Sequence, residues 1–216
     1  CAVCGRMLFS FGSSLLLKSL SLGANERLIL GNAAFALGEL AGLAFFIRGL
    51  SRRDSRPPPA PAAKANIFIA GGVTFLISIP VVFVVGLATR VLLEVCGLPA
   101  DEQDLIGIFA NAKSRAFLAV LIVVASLIAP IAEEMVFRAG LFRYARTRLP
   151  RWAALVAPAC LFAALHQNLA SFPQLVALAV ILSLAYERTG RIGTPIVAHA
   201  LFNLHTIVLI LLGADS

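Results

Sequence analysis

Long apolar stretches alternate with short polar ones along most of the chain. A helix needs about 20 predominantly apolar residues to cross the hydrocarbon layer of a bilayer. The third stretch continues in helical register to about residue 148, and the fourth and fifth are short enough to require kinks, helical neighbours or local membrane thinning. The pattern predicts six transmembrane helices, at residues 28–50, 67–88, 116–132, 153–165, 175–186 and 196–212.

A weaker apolar stretch at residues 7–23 predicts a seventh helix, in which Lys18 has to face the bundle or reach the headgroups. A proline-rich run at residues 56–64 then interrupts the chain, and no helix continues through it. We therefore divide the chain into N-terminal helices with a linker, residues 1–65, and a membrane core, residues 66–216. Together they form one all-α polytopic transmembrane helix bundle.

Composition agrees with lipid as the surrounding medium. Of the 216 residues, 60% are hydrophobic and 13% are charged, whereas soluble domains have about 45–50% and about 25%. The net charge of +7 could indicate a nucleic-acid partner. The arginines, however, lie in short clusters between apolar stretches, so no continuous basic face remains. The lipid bilayer is the expected partner, and nucleic acid is not.

The basic clusters also predict an orientation. Threading six helices through a membrane places three basic linkers on one side, which the positive-inside rule assigns to the cytoplasm. This pattern is typical of a bacterial inner-membrane protein. The residues that form the three linkers are Arg48, Arg52, Arg53, Arg56, Lys64, Arg143, Arg146, Arg148, Arg151, Arg188 and Arg191.

Three polar motifs lie in or at the ends of apolar helices, where ionisable groups are costly and mark functional candidates. In the first, Glu133 and Glu134 precede Arg138. Residues four apart share a helix face and adjacent ones do not, so Glu134 is expected to pair with Arg138. Glu133 then remains free for acid–base chemistry. The other two motifs place Phe162 four residues before His166, and His199 four residues before Asn203.

These residue types are sufficient for hydrolysis of a peptide bond. The reaction needs an activated water, a base and donors for the developing oxyanion. Glu133 and His166 can orient and deprotonate water, while His199 and Asn203 can donate to the oxyanion. Glu133, His166 and His199 could instead hold one zinc ion with an open position. The cofactor is therefore none or one zinc, and the absence of an HExxH helix excludes an ordinary zincin site.

The motifs EExxxR, FxxxH and HxxxN, in this order, resemble the signature of the CAAX-processing and bacteriocin-processing (CPBP) family of membrane proteases. That family includes the type II CAAX prenyl endopeptidases, and the resemblance covers residues 131–204. It implies an all-α membrane fold and a membrane-associated or lipidated, CAAX-like peptide substrate.

The resemblance also implies a role for each motif residue. Glu133 would act with His166 on water, and Glu134 would pair with Arg138. His199 and Asn203 would form the oxyanion site. Family members have been labelled metalloproteases, yet the pattern equally fits a metal-free glutamate protease. No carboxylate can be identified in the sequence behind the three metal-ligand candidates, which favours the metal-free form.

Other interpretations remain open at this stage. The acidic pair could mark a solvated helix end, and His199 with Asn203 could be a hydrogen-bonded pair between helices. The chain could then be a non-proteolytic membrane immunity or scaffolding protein, or a proton-coupled transporter, although no inverted repeat is visible. We also expect His205 to be a packing residue. Pro130 and Pro158 are expected to kink their helices and free backbone carbonyls near the site.

Overall fold

The computed structural model describes residues 66–98 and 114–213, and helices account for nearly all of them. No strand occurs within these two ranges, so the all-α prediction is confirmed for them. The helices predicted at 7–23 and 28–50, and the linker that follows, lie outside the described residues. The total number of helices and the division at residue 65 therefore stay predictions. The described helices are α1 (Ile67–Val95), α2 (Arg115–Arg146), α3 (Arg151–Ala164), α4 (Phe172–Thr189) and α5 (Gly193–Leu211).

Three of these helices, α1, α2 and α5, are long and apolar enough to cross a membrane. Large apolar side chains such as Phe68, Phe83 and Trp152 are each about 70% exposed. An apolar surface of this extent is stable against lipid and unfavourable against water. The chain is an integral membrane protein. Helix α3, with 14 residues, is about 21 Å long at 1.5 Å per residue, so it is as short as the sequence predicted.

Helix α2 is not a regular α-helix along its length. It contains two π-helical stretches, Val124–Ile128 and Met135–Phe142, on either side of a short α-helical segment. Pro130 lies buried in that segment, next to the first stretch. Wider turns of this type are rare and frequently occur at functional sites. Glu133 and Glu134 lie between the two stretches, so this irregular part of α2 carries the first polar motif.

Close helix packing holds this motif opposite the other two. Helix α5 packs against α1, α4 and the middle of α2, and α3 packs against α4. A Cβ atom added at Gly71 of α1 would lie 2.6 Å from Val197 of α5, so this crossing requires glycine. Phe137 of α2 and Phe162 of α3 form a buried cluster with two small residues, Ala159 and Ala179. The cluster lies directly beside the polar residues described below.

An ion-pair cluster ties the end of α2 to α3 and α4. Arg146 Nε lies 3.1 Å from Glu187 Oε1, and Arg151 Nη2 lies 2.8 Å from Glu187 Oε2. All three residues lie outside or at the end of the candidate spans. Partial burial would raise the pKa of Glu187, but the hydrogen bonds and charges of the two arginines bring that pKa below its ordinary value. The hydrogen bond to Glu187 in turn raises the pKa of Arg151.

Candidate active site

The pair expected between Glu134 and Arg138 is present and completely buried. Arg138 Nη1 donates to Glu134 Oε1 at 2.7 Å, and the two side chains are 1% and 0% exposed. Arg138 Nη2 donates to the backbone oxygen of Ala179 on α4 at 3.1 Å. Its guanidinium carbon lies 5.1 Å from the centre of the Phe162 ring. The arginine therefore connects three helices while it neutralises Glu134.

His199 of α5 lies between the two adjacent carboxylates. Its Nδ1 is 2.8 Å from Glu134 Oε1, while its Nε2 is 3.7 Å from Glu133 Oε2. An ionised carboxylate only accepts hydrogen bonds, so Nδ1 carries a proton and donates to Glu134. The distance of 3.7 Å is too long for a direct hydrogen bond. Glu134 thereby fixes the ring orientation of His199 and directs Nε2 toward Glu133.

The two glutamates differ sharply in their surroundings. The side chain of Glu133 is 22% exposed, whereas that of Glu134 is fully buried and already bonded to Arg138 and His199. Only Glu133 can therefore meet water or a substrate without breaking an existing ion pair. This assigns the adjacent carboxylates to the two different positions that their helix spacing predicted.

His166 lies just beyond the end of α3 and caps its own helix. Its Nδ1 is 2.9 Å from the backbone oxygen of Phe162. A carbonyl only accepts, so Nδ1 is the protonated nitrogen and Nε2 keeps its lone pair. The next residue, Gln167, has a φ of 53°, in the left-handed region that is unfavourable for a residue with a Cβ atom. The exposed imidazole is thus held at a sharp helix end.

The Phe162 ring contacts both histidines. It is 1% exposed, and its centre lies 4.9 Å from the ring of His166 and 5.9 Å from that of His199. Phe137 packs edge-on against it at 5.1 Å. Among the described residues, His166 has no direct hydrogen bond or ion pair with Glu133. The structure therefore brings Glu133, Glu134, Arg138 and His199 into direct contact, and His166 meets this group through the Phe162 ring.

Asn203 lies one turn beyond His199 and is bonded to α2. Its Nδ2 donates to the backbone oxygen of Ala125 at 2.8 Å. That carbonyl belongs to the first π-helical stretch, just before Pro130, which agrees with the expectation of a free carbonyl near this proline, while the expected kink stays a prediction. Pro158 also lies inside a helix, α3, but no side-chain hydrogen bond to a carbonyl that it frees is described. His205, predicted to be a packing residue, packs against Phe75 with ring centres 5.8 Å apart.

The metal alternative can be compared with this geometry. Glu133, His166 and His199 are suitable donors for zinc, and both histidines have Nδ1 occupied so that Nε2 is available. In the part of the chain that the structure describes, however, no three such side chains are grouped closely enough to hold a metal ion. The donor types suit zinc, but their spacing in the described residues does not.

One statement from the sequence was wrong. A carboxylate does lie behind a candidate ligand, because Glu134 accepts from Nδ1 of His199. Sequence reasoning had treated Glu134 as the partner of Arg138 alone. The two residues are 65 positions apart, and neither spacing nor periodicity indicates that α5 places His199 against this glutamate. The reason for favouring the metal-free form therefore no longer holds.

Comparisons with known proteins give two matches. A family model described as type II CAAX prenyl endopeptidase Rce1-like matches residues 115–205, a range that contains all three motifs. A protein of Bacillus subtilis (strain 168) named "Putative membrane peptidase YdiL" is 28% identical over 89 residues, which are 41% of this chain and 36% of that protein. The match thus spans about a third of the length of this curated relative. No solved structure gives a significant match.

Proposed function

We propose that this chain is an intramembrane endopeptidase, since residues 115–205 match the model of the Rce1-like family of type II CAAX prenyl endopeptidases. Its substrate is a membrane-associated or lipidated, CAAX-like peptide, and water activated by Glu133 cleaves the peptide bond. The observation that carries the proposal is the hydrogen-bonded series from Arg138 through Glu134 to His199, which ends opposite the partly exposed Glu133.

Glu133 is the general base in this proposal. Its carboxylate takes a proton from a water molecule, and the oxygen of that water attacks the carbonyl carbon of the substrate. The same carboxylic acid then returns the proton to the amide nitrogen as the carbon–nitrogen bond breaks. The products are a carboxylic acid and an amine. The 22% exposure of Glu133 supports this role, because the group must reach water.

His199 and Asn203 stabilise the oxyanion of the tetrahedral intermediate. Nδ1 of His199 is occupied by Glu134, so donation from Nε2 requires a doubly protonated ring. Two carboxylates face this ring. Their two negative charges are balanced by Arg138 and by the positive charge of the doubly protonated ring. One N–H of Asn203 is bonded to Ala125, and the second N–H of the same nitrogen is available to the oxyanion.

The role proposed for His166 is to contact the attacking water or the bound peptide. Its Nε2 lone pair can accept a hydrogen bond from water, because Nδ1 already donates to the Phe162 carbonyl. In the described conformation the Phe162 ring packs against both His166 and His199. We propose that His166 meets the attacking water or the peptide from the exposed side. The substrate would reach Glu133 through a lateral opening between helices.

The test is cleavage of a peptide panel by detergent-purified protein, with product masses identifying the bond. Wild type and Glu133→Ala are compared on prenylated, acylated and unmodified peptides, each with and without a zinc chelator. The proposal expects cleavage by wild type that disappears in the variant while the thermal unfolding midpoint is kept. Sensitivity to the chelator distinguishes zinc from metal-free chemistry. Equal cleavage by the variant, or none by well-folded wild type on any peptide, contradicts the proposal.

The non-proteolytic alternatives are not favoured. Both matches are to proteins described as peptidases, and neither is described as a transporter or an immunity factor. A scaffold would also have no use for a partly exposed carboxylate opposite a buried, oriented histidine.

A further inference from the structure

The backbone oxygen of Ala125 lies in the first π-helical stretch of α2, where the residues at the usual α-helical and π-helical donor positions, 129 and 130, do not donate to it. In a regular α-helix it would accept from the N–H of Ala129, but that N–H donates to Val124 instead. In the π-helical register it would accept from residue 130, which is proline and has no N–H. Both of these backbone donors are therefore removed: the N–H of Ala129 bonds elsewhere because of the wide turn, and residue 130 has no N–H because it is proline.

Asn203 supplies the missing donor from another helix. Its Nδ2 lies 2.8 Å from the Ala125 oxygen, across 78 positions of sequence. A carbonyl only accepts, so the amide must present its nitrogen, and the alternative rotation of the amide by 180° is excluded. The bond orients the second N–H of the same nitrogen and also fixes the height of α5 against α2. His199 lies one turn before Asn203 on the same helix.

We propose that Pro130 is a positioning residue for Asn203. By withholding an N–H from the Ala125 carbonyl, it leaves that carbonyl free to hold the Asn203 amide in the orientation that the oxyanion requires. The catalytic half of this inference rests on the proposed function. The structural half, an interhelical hydrogen bond that exists because residue 130 is proline, is independent of any activity.

Replacing Pro130 with alanine separates positioning from stability. In Pro130→Ala the helix regains an N–H, so either residue 129 or residue 130 can bond to Ala125 and compete with Asn203. We expect kcat to fall about 10- to 100-fold with KM changed less than about threefold, as expected for loss of one oxyanion donor's orientation. The unfolding midpoint should stay constant or rise, because proline is unfavourable inside a helix. A purely structural role would lower activity and stability together.

Pro80 provides the matched control. It lies inside α1 with an exposed ring, so Pro80→Ala makes the same chemical change away from the polar residues. The control should keep kcat within about twofold of wild type. Equal loss of kcat in Pro80→Ala and Pro130→Ala, or full activity in Pro130→Ala, overturns the catalytic half of the inference.

A double-mutant cycle on unfolding tests the structural half without a substrate. With Pro130 present, Asn203→Ala orphans the Ala125 carbonyl and should lower the folding equilibrium constant about tenfold. With Pro130→Ala present, a backbone N–H bonds to that carbonyl, so Asn203→Ala should lower the folding equilibrium constant less than about threefold. If Asn203→Ala lowers the folding equilibrium constant equally with Pro130 and with Pro130→Ala, the inference is overturned, whether or not the protein cleaves peptides. Unequal costs in a protein that cleaves nothing would refute the proposed function alone.

Discussion

Replacing Arg138 with methionine should reveal how strongly the buried charges depend on each other. The change removes the guanidinium from Glu134, whose side chain has no exposed surface, and leaves that carboxylate with His199 as its remaining described partner. Removing one partner of a buried ion pair typically costs about 3–5 kcal/mol, because the other charge stays buried without compensation. His199 can carry a proton and offset part of this cost. We therefore expect Arg138→Met to lower the unfolding free energy by about 3 kcal/mol.

Removing both charges should destabilise the protein less than removing one. Glu134 Oε2 and Arg138 Nε have no hydrogen-bond partner among the described residues, so the pair is incompletely compensated for its loss of hydration. Apolar residues of similar volume often replace such a pair at little or no cost in stability. The variant Glu134→Leu with Arg138→Met should therefore be less destabilised than Arg138→Met alone, and its remaining cost arises because Nδ1 of buried His199 loses its acceptor.

The assay measures unfolding free energies in one detergent and peptide cleavage in the same preparations. The single variant should be the less stable of the two. The double variant should still cleave at least about a hundredfold more slowly, because His199 has lost the carboxylate that orients it. A double variant as unstable as Arg138→Met would refute the buried-charge reasoning. A stable and fully active double variant would refute the role given to Glu134.

Three smaller predictions concern other contacts. The pKa of Glu187 is lowered, so its carboxylate stabilises the fold above its ordinary pKa and loses this effect as the pH falls through the lowered value. Glu187→Gln should lower the melting temperature by about 1–3 °C at pH 7, and this difference should shrink as the pH falls below the ordinary pKa of a glutamate. A difference that stays constant with pH would contradict this. Gln167→Gly removes a Cβ from a left-handed position and should raise the unfolding free energy by about 0.5–1 kcal/mol in denaturant titrations, whereas a loss would contradict the strain argument. Gly71→Leu places a side chain where Val197 already lies and should lower the melting temperature by several degrees. Gly72→Leu is its control, because a Cβ added at Gly72 meets no other atom. Equal shifts of the melting temperature in the two variants would refute the close packing at Gly71.

The sequence predicted the helices of the core well because lipid imposes a simple composition on them. Its apolar stretches correspond to α1 to α5, but the structure extends α1 to Val95, well past the predicted end at residue 88. The last turns contain Thr89, Arg90 and Glu94, and a search for apolar runs stops at such residues. The wide turns of α2 have no comparable pattern, and Pro130 was the one signal near them.

Local relations in the site were also predictable, whereas distant ones were not. The pairing of Glu134 with Arg138 follows from helix geometry alone, since the residues are four apart. The contact between Glu134 and His199 depends on how α5 packs against α2, and the contact of Phe162 with both histidines depends on how α3 packs against α5. Packing of separate helices is set by many contacts together, so no single motif contains it.

The central claim is that Glu133 activates water, and the most direct measurement is kcat for Glu133→Gln on a peptide that wild type cleaves. Glu94→Gln is the matched control, because Glu94 is an exposed carboxylate at the end of α1. The account predicts that Glu133→Gln lowers kcat at least about a hundredfold with an unchanged melting temperature, while Glu94→Gln keeps the wild-type rate. A Glu133→Gln protein that cleaves the peptide as fast as the Glu94→Gln control would contradict the account.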